Sequence, residues 1–311
     1  MGNAGIYKGI DVVKFFMAFD VVAMHTTVGN PLYIKDLAVP FFFLASGFFL
    51  FRKLDACRPE EEGALRKKWL SRIARMYLVW TVIYLPFTVY GLVKAGNPFI
   101  YSLAQFFRNF LFIGENYLSW PLWYLLGMIW AGCIIFMLRK LGVPIWGMLL
   151  AGFALILVAQ FSDLESNGFY HSVFKTTRNG IFVGFPFMVA GGALAGVDLC
   201  RVSPFVWLAV FAALLAGTKL AAWLVLPAAV ALFLFAASIK DLGFVSESLS
   251  RTLRQSSVVI YLSHMLFAGV LTICGMQKGF ALFAITSACV LGLAYMMKSP
   301  KCERVAEFLY S

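Results

Sequence analysis

Ile10-Asp-Val-Val-Lys14-Phe-Phe-Met-Ala-Phe-Asp20-Val-Val-Ala-Met-His25-Thr-Thr-Val28 has the length and apolar content of a membrane-spanning helix. Yet Asp11, Lys14, Asp20 and His25 lie within it. A charged group at membrane depth costs about 2.5–3.5 kcal/mol on insertion scales, so such groups tend to face a cavity and carry function. Lys14 and His25 are separated by eleven positions. At about 100° per residue that spacing returns to within about 20° of the same direction, so both side chains lie on one face. They sit about 16 Å apart along the axis, about half a bilayer core. Asp20 falls on a different face and needs its own partner. Asp11 lies one turn before Lys14, in position for an i,i+3 pair. Two readings fit the face: a snorkelling lysine with a capping histidine, or a functional pair.

Working outward, the 311 residues are 61% apolar, 17% aromatic and only 13% charged, with a mean hydropathy of +0.84. Soluble globular chains are about 25% charged, so a soluble fold is excluded. A net charge of +11 would suggest nucleic acid in a soluble chain; here basic residues gathered in cytoplasmic loops account for it, and no nucleic-acid partner is expected. The six Cys show no CxxC pair and the three His are far apart, so free thiols and no metal are expected. The first apolar run is interrupted by charges, unlike a cleaved signal peptide.

Apolar runs predict an all-α, polytopic membrane protein with about ten spans, near 10–28, 38–51, 74–93, 121–138, 143–161, 179–197, 204–217, 220–238, 257–274 and 279–297. The second and seventh are short. A single membrane domain over 1–311 is expected, with no soluble domain attached. Orientation follows from the basic residues. With the N-terminus inside, the inner side receives Lys8, the dense run Arg52, Lys53, Arg58, Arg66, Lys67, Lys68, Arg72, Arg75, and Arg139, Lys140, Arg201, Lys240, Arg251, Arg254, Lys298, Lys301 and Arg304. The outer side receives only Lys35, Lys94, Arg108, Lys175, Arg178, Lys219 and Lys278. The expectation is N-in and C-in, with His25 toward the outside and His264 in the inner half of the ninth run. Two outer loops, 94–119 and 162–178, carry polar residues able to meet a substrate, among them Arg108, Glu115, Asn116, His171, Lys175 and Arg178.

Four phrases join the first helix. They are Pro40-Phe-Phe-Phe-Leu-Ala-Ser46-Gly47-Phe-Phe-Leu50, Leu70-Ser-Arg72-Ile-Ala-Arg75-Met-Tyr77, Trp120-Pro121-Leu122-Trp123-Tyr124-Leu125 and Ile260-Tyr261-Leu262-Ser263-His264. With Lys14, ten residues and His25, the ordered set resembles the acyltransferase 3 family of integral membrane proteins. That family usually has Arg where this chain has Lys14. Many members carry His where this chain has Pro121, so no histidine is carried over there.

The resemblance implies a multi-pass protein of the cell membrane, in bacteria the plasma membrane. It implies transfer of an acyl group, usually acetyl, from cytoplasmic acyl-CoA (acetyl-CoA) to a hydroxyl of a cell-surface glycan or lipid-linked sugar. His25 would be the general base. Lys14 would bind the donor or stabilise charge. Arg72 and Arg75 would grip the CoA phosphates, beside the alternative that this basic helix rests on anionic lipid. Ser46 would be a supporting hydroxyl or an acyl carrier. His264 would meet substrate or simply bond a neighbouring helix. The competing class is a transporter: similar membrane domains are fused to serine racemases of vancomycin-resistance systems, where they are associated with serine uptake. The racemase domain itself is absent from this sequence.

Overall fold

The computed structural model describes residues 7–299, 302 and 309. Among them every regular element is helical. Twelve α-helices follow in order: α1 (Lys8–Thr26), α2 (Ala38–Ala56), α3 (Pro59–Ala95), α4 (Phe99–Arg108), α5 (Leu122–Lys140), α6 (Ile145–Phe161), α7 (Gly168–Phe174), α8 (Phe185–Leu194), α9 (Pro204–Gly217), α10 (Val225–Ser238), α11 (Glu247–Ile273) and α12 (Phe280–Met296). Lys301 and Arg304, counted above among the inner cations, lie outside the described residues.

Each apolar run forms a helix, because a chain in lipid must satisfy its backbone within the segment. Tyr33–Ala56, Pro59–Ala95, Leu122–Lys140 and Glu247–Ile273 are long and apolar enough to cross a membrane on composition alone. The first helix is not among them, because its 19 residues hold Lys8, Asp11, Lys14 and Asp20. Three boundaries differ from the sequence expectation. The third helix begins at Pro59, not near 74, and its 37 residues reach about 55 Å. The ninth run begins at Glu247, not 257. Residues 94–119, expected as a loop, contain α4 and a π-helical turn at Asn109–Ile113. Phe99–Ile113 is apolar, and Phe99, Ile100 and Tyr101 are exposed. At about 22 Å it is shorter than a bilayer core.

The chain divides into two compact units. The first comprises Met1–Ser46 and Gly196–Tyr310; the second comprises Gly47–Ala195. In the first, α1 packs on α10, α11 and α12, and Lys8 pairs with Asp241 at 2.5 Å. In the second, α3 packs on α5 and α6 on α8. Gly47 of the Ser-Gly-Phe phrase lies against the Met188 backbone, where a Cβ would overlap the carbonyl oxygen. Only glycine permits that approach of α2 to α8.

Candidate functional site

The first unit is built on the pairing of α1 with α11. Near their starts, Ser250 Oγ donates to Asp11 Oδ2 at 2.7 Å, and Arg254 approaches the same oxygen at 3.6 Å. Asp11 is 1% exposed, so its charge is held by these groups on α11. The sequence had offered Lys14 as its i,i+3 partner. The hydroxyl and guanidinium of a distant segment reach it instead, a pairing that no local spacing rule reveals.

Four turns further on, the rings of His25 and His264 stack, with centroids 5.2 Å apart and planes inclined by 24°. Asp11 and Ser250 differ by 239 positions, as do His25 and His264. The two helices therefore run parallel and in register over fourteen residues, about 21 Å. His264 is level with His25, not deeper toward the inner side as the sequence expectation had it. The cause is the earlier start of α11, which places ten more residues before His264.

His264 is 0% exposed. Its Nδ1 lies 2.7 Å from the Tyr261 carbonyl. A carbonyl only accepts, so Nδ1 carries the hydrogen and Nε2 presents a lone pair. That Nε2 is buried without a hydrogen-bond partner among the described residues. Tyr261 packs edge-on to Phe42 at 5.5 Å, so the Phe-rich phrase of α2 backs the helix that carries His264. Lys14 and Ser46 are both half-buried; Lys14 keeps its place about 16 Å along α1 from His25, and Ser46 closes the first unit.

The C-terminal end of α1 is strapped. Lys35 Nζ donates to the carbonyls of Thr27, at 3.4 Å, and Gly29. Gly279 N–H donates to the Thr26 carbonyl at 2.8 Å. Lys35 and Asp36 are also the charges that act on Asp20, the residue left in need of a partner by the sequence; its Oδ2 is buried with no hydrogen bond among the described residues.

In the second unit the basic stretch of α3 divides by role. Arg66 pairs with Glu62. Arg139 of α5 reaches Glu62 at 3.0 Å and Asp55 at 3.2 Å. Trp69 packs edge-on to Phe136 at 5.7 Å and lies over Gly132. These contacts clamp the start of α3 to α2 and α5. Arg72 and Arg75 lie exposed one turn apart. The sequence expectation did not assign Arg66 to Glu62; the structure does. Among the described residues no group of three His, Cys, Asp or Glu is placed to hold a metal ion.

The model of a family described as an acyltransferase domain matches residues 7–297. This chain belongs to the acyltransferase 3 family. As a member it carries Lys14 and His25 on α1 and the Tyr-Leu-x-His phrase on α11, and the fold brings the two histidines into contact. Curated relatives include an amino-acid racemase of Enterococcus faecalis, 33% identical over 61% of this chain. A serine/alanine racemase of Enterococcus gallinarum is 27% identical over 59% of it. In both, the matched stretch is 28% of the relative's length. No solved structure matches this family member significantly.

Proposed function

We propose that this protein is a membrane O-acyltransferase that moves an acetyl group from cytoplasmic acetyl-CoA to a hydroxyl of a cell-surface glycan or lipid-linked sugar. The observation that carries the reading is the stacking of His25 on His264 in a registered helix pair. A sugar hydroxyl is a weak nucleophile, and a positioned neutral imidazole that takes its proton contributes about 10²–10⁴-fold. In this mechanism His25 removes the hydroxyl proton as the oxygen attacks the thioester carbonyl. The carbon–sulfur bond breaks, and the CoA thiolate leaves with the proton returned by His25. Lys14 offsets charge on the donor or the developing oxyanion. Ser46 is a supporting hydroxyl. His264, with its ring face against His25 and fully buried, orients that imidazole. Arg72 and Arg75, exposed one turn apart on α3, hold the CoA phosphates through paired hydrogen bonds.

The protein sits in the bacterial plasma membrane as a single domain with ten spans and both termini inside, by the distribution of its basic residues. A second reading, a carrier for a serine-like amino acid, is favoured by the names of the racemases whose matched stretch it resembles. Purified protein titrated with acetyl-CoA separates the two. Acyl transfer predicts binding that Arg72→Gln and Arg75→Gln weaken and that added salt weakens further. Absence of CoA affinity in the unchanged protein refutes the acyl-transfer reading.

A further inference from the structure

The second unit holds a polar cluster that the mechanism above does not use. Glu115 follows the π-helical turn Asn109–Ile113, a form of backbone that is frequent at functional sites. Burial pushes its carboxyl up, and Lys175 and Arg178 draw it down. No cation stands within 4.0 Å ion-pair distance of it among the described residues, and the neighbouring Gly114 lies against the Trp123 backbone. Arg178 lies over the Trp123 indole, 5.6 Å from the ring centre. Trp123, at the start of α5, stands about 24 Å along that helix from the Arg139 end that α3 clamps.

The segment bearing the two cations is held firmly. Glu165 accepts from Thr177 N–H at 2.5 Å and from the Thr177 and Thr176 hydroxyls at 2.7 and 2.9 Å. Asn179 Nδ2 donates to Tyr170 Oη at 2.9 Å. Arg108 donates to the Ser172 carbonyl at 3.3 Å. Within this braced loop Lys175 adopts φ +64° and Thr176 N–H bonds the Phe174 carbonyl at 2.7 Å, a three-residue turn of the rare positive-φ form. Such a conformation at a non-glycine residue persists only where the surroundings hold it, and it is common at ligand clamps. Lys175 and Arg178 nonetheless stay exposed.

We propose that Glu115, Trp123, Lys175 and Arg178 form a docking site for an acidic saccharide. This names the acceptor class and rests on the acyl-transfer reading. A carboxylate accepts hydrogen bonds from neighbouring sugar hydroxyls. The guanidinium and ammonium take the carboxylate or phosphate of the sugar, the guanidinium in a two-bond geometry. The indole supplies an apolar wall. The Glu165 carboxylate of the same loop is taken up by three hydrogen bonds from Thr176 and Thr177, which leaves the two exposed cations to draw an anionic ligand.

Trp123 makes the site self-reporting. Purified protein in nanodiscs of zwitterionic lipid, which offers no anionic headgroup to the cations, is titrated with tetragalacturonate and with its methyl ester while tryptophan emission is followed. The acid form should bind at least tenfold more tightly than the ester. Arg178→Gln and Lys175→Gln should each lower its affinity at least fivefold. Glu115→Gln should weaken both ligands, and Trp123→Phe should remove the emission change. Equal affinity for acid and ester, or full affinity in Arg178→Gln with an unaltered melting curve, overturns the proposal. Acid-selective binding without transfer to any acidic saccharide would sustain the docking site and refute the acyl-transfer reading.

Discussion

Ser250→Ala tests the element that sets the register of α1 and α11. It removes the hydroxyl that donates to Asp11 Oδ2 at 2.7 Å. Asp11 is 1% exposed and its Oδ1 already has no hydrogen bond among the described residues. A hydrogen bond to a buried charged group contributes about 1.5–3 kcal/mol, so loss of this one should lower the folded-to-unfolded ratio about 10- to 150-fold. Arg254→Gln, which removes the ion pair to the same oxygen, should cost less. The guanidinium is 48% exposed and 3.6 Å away, and solvent-screened pairs contribute under about 1 kcal/mol. Asp11→Asn discharges the buried group while keeping its shape, so Ser250→Ala should cost less in that background. Reversible unfolding of purified protein in mild detergent gives the four corners of the cycle. A neutral Ser250→Ala, or Arg254→Gln costing more than Ser250→Ala, refutes the argument that the buried carboxylate is held chiefly by the hydroxyl.

His25→Ala should abolish acyl transfer yet leave acetyl-CoA binding intact, while Lys14→Arg keeps activity and Lys14→Ala loses it; full activity in His25→Ala ends the general-base assignment. The three hydrogen bonds to Glu165 hold its carboxyl below the usual glutamate value, first through the Thr177 N–H. A depressed carboxyl stabilises the fold above the unfolded pKa, and that stabilisation is lost as pH falls through the folded value. Hydrogen exchange at Thr176–Arg178 should therefore accelerate as pH drops below about 4, after correction for intrinsic exchange, and Glu165→Gln should show no such acceleration. An impermeant thiol reagent on intact cells should modify a cysteine placed at Asn167 and spare Cys57; labelling of Cys57 from outside reverses the proposed orientation.

Much of the architecture is legible in one dimension. Lipid forbids unsatisfied backbone, so an apolar run of sufficient length is a helix, and the runs from Ile10 to Met297 are helical where composition places them. Eleven positions between Lys14 and His25 put both on one face by helical geometry alone. Element ends were less legible. The starts of α3 and α11 are polar, and a hydropathy window stops where the helix continues. Phe99–Ile113 was missed because Arg108 and Asn109 break its apolar pattern, while the carbonyl of Phe110 accepts from Tyr77 at 2.6 Å and that of Leu111 from Trp130 at 3.2 Å.

What the sequence by itself determined is what local periodicity and lipid chemistry impose: an all-helical membrane chain, the shared face of Lys14 and His25, and the motif phrases that mark its family. What only the tertiary structure decided is partnership. His25 meets His264 across 239 positions, Asp11 is held by Ser250, Arg139 reaches Glu62, and Arg178 lies over Trp123. Those contacts depend on which helices lie side by side and in what register, and a repeat of 3.6 residues within one segment carries no information about the register of another.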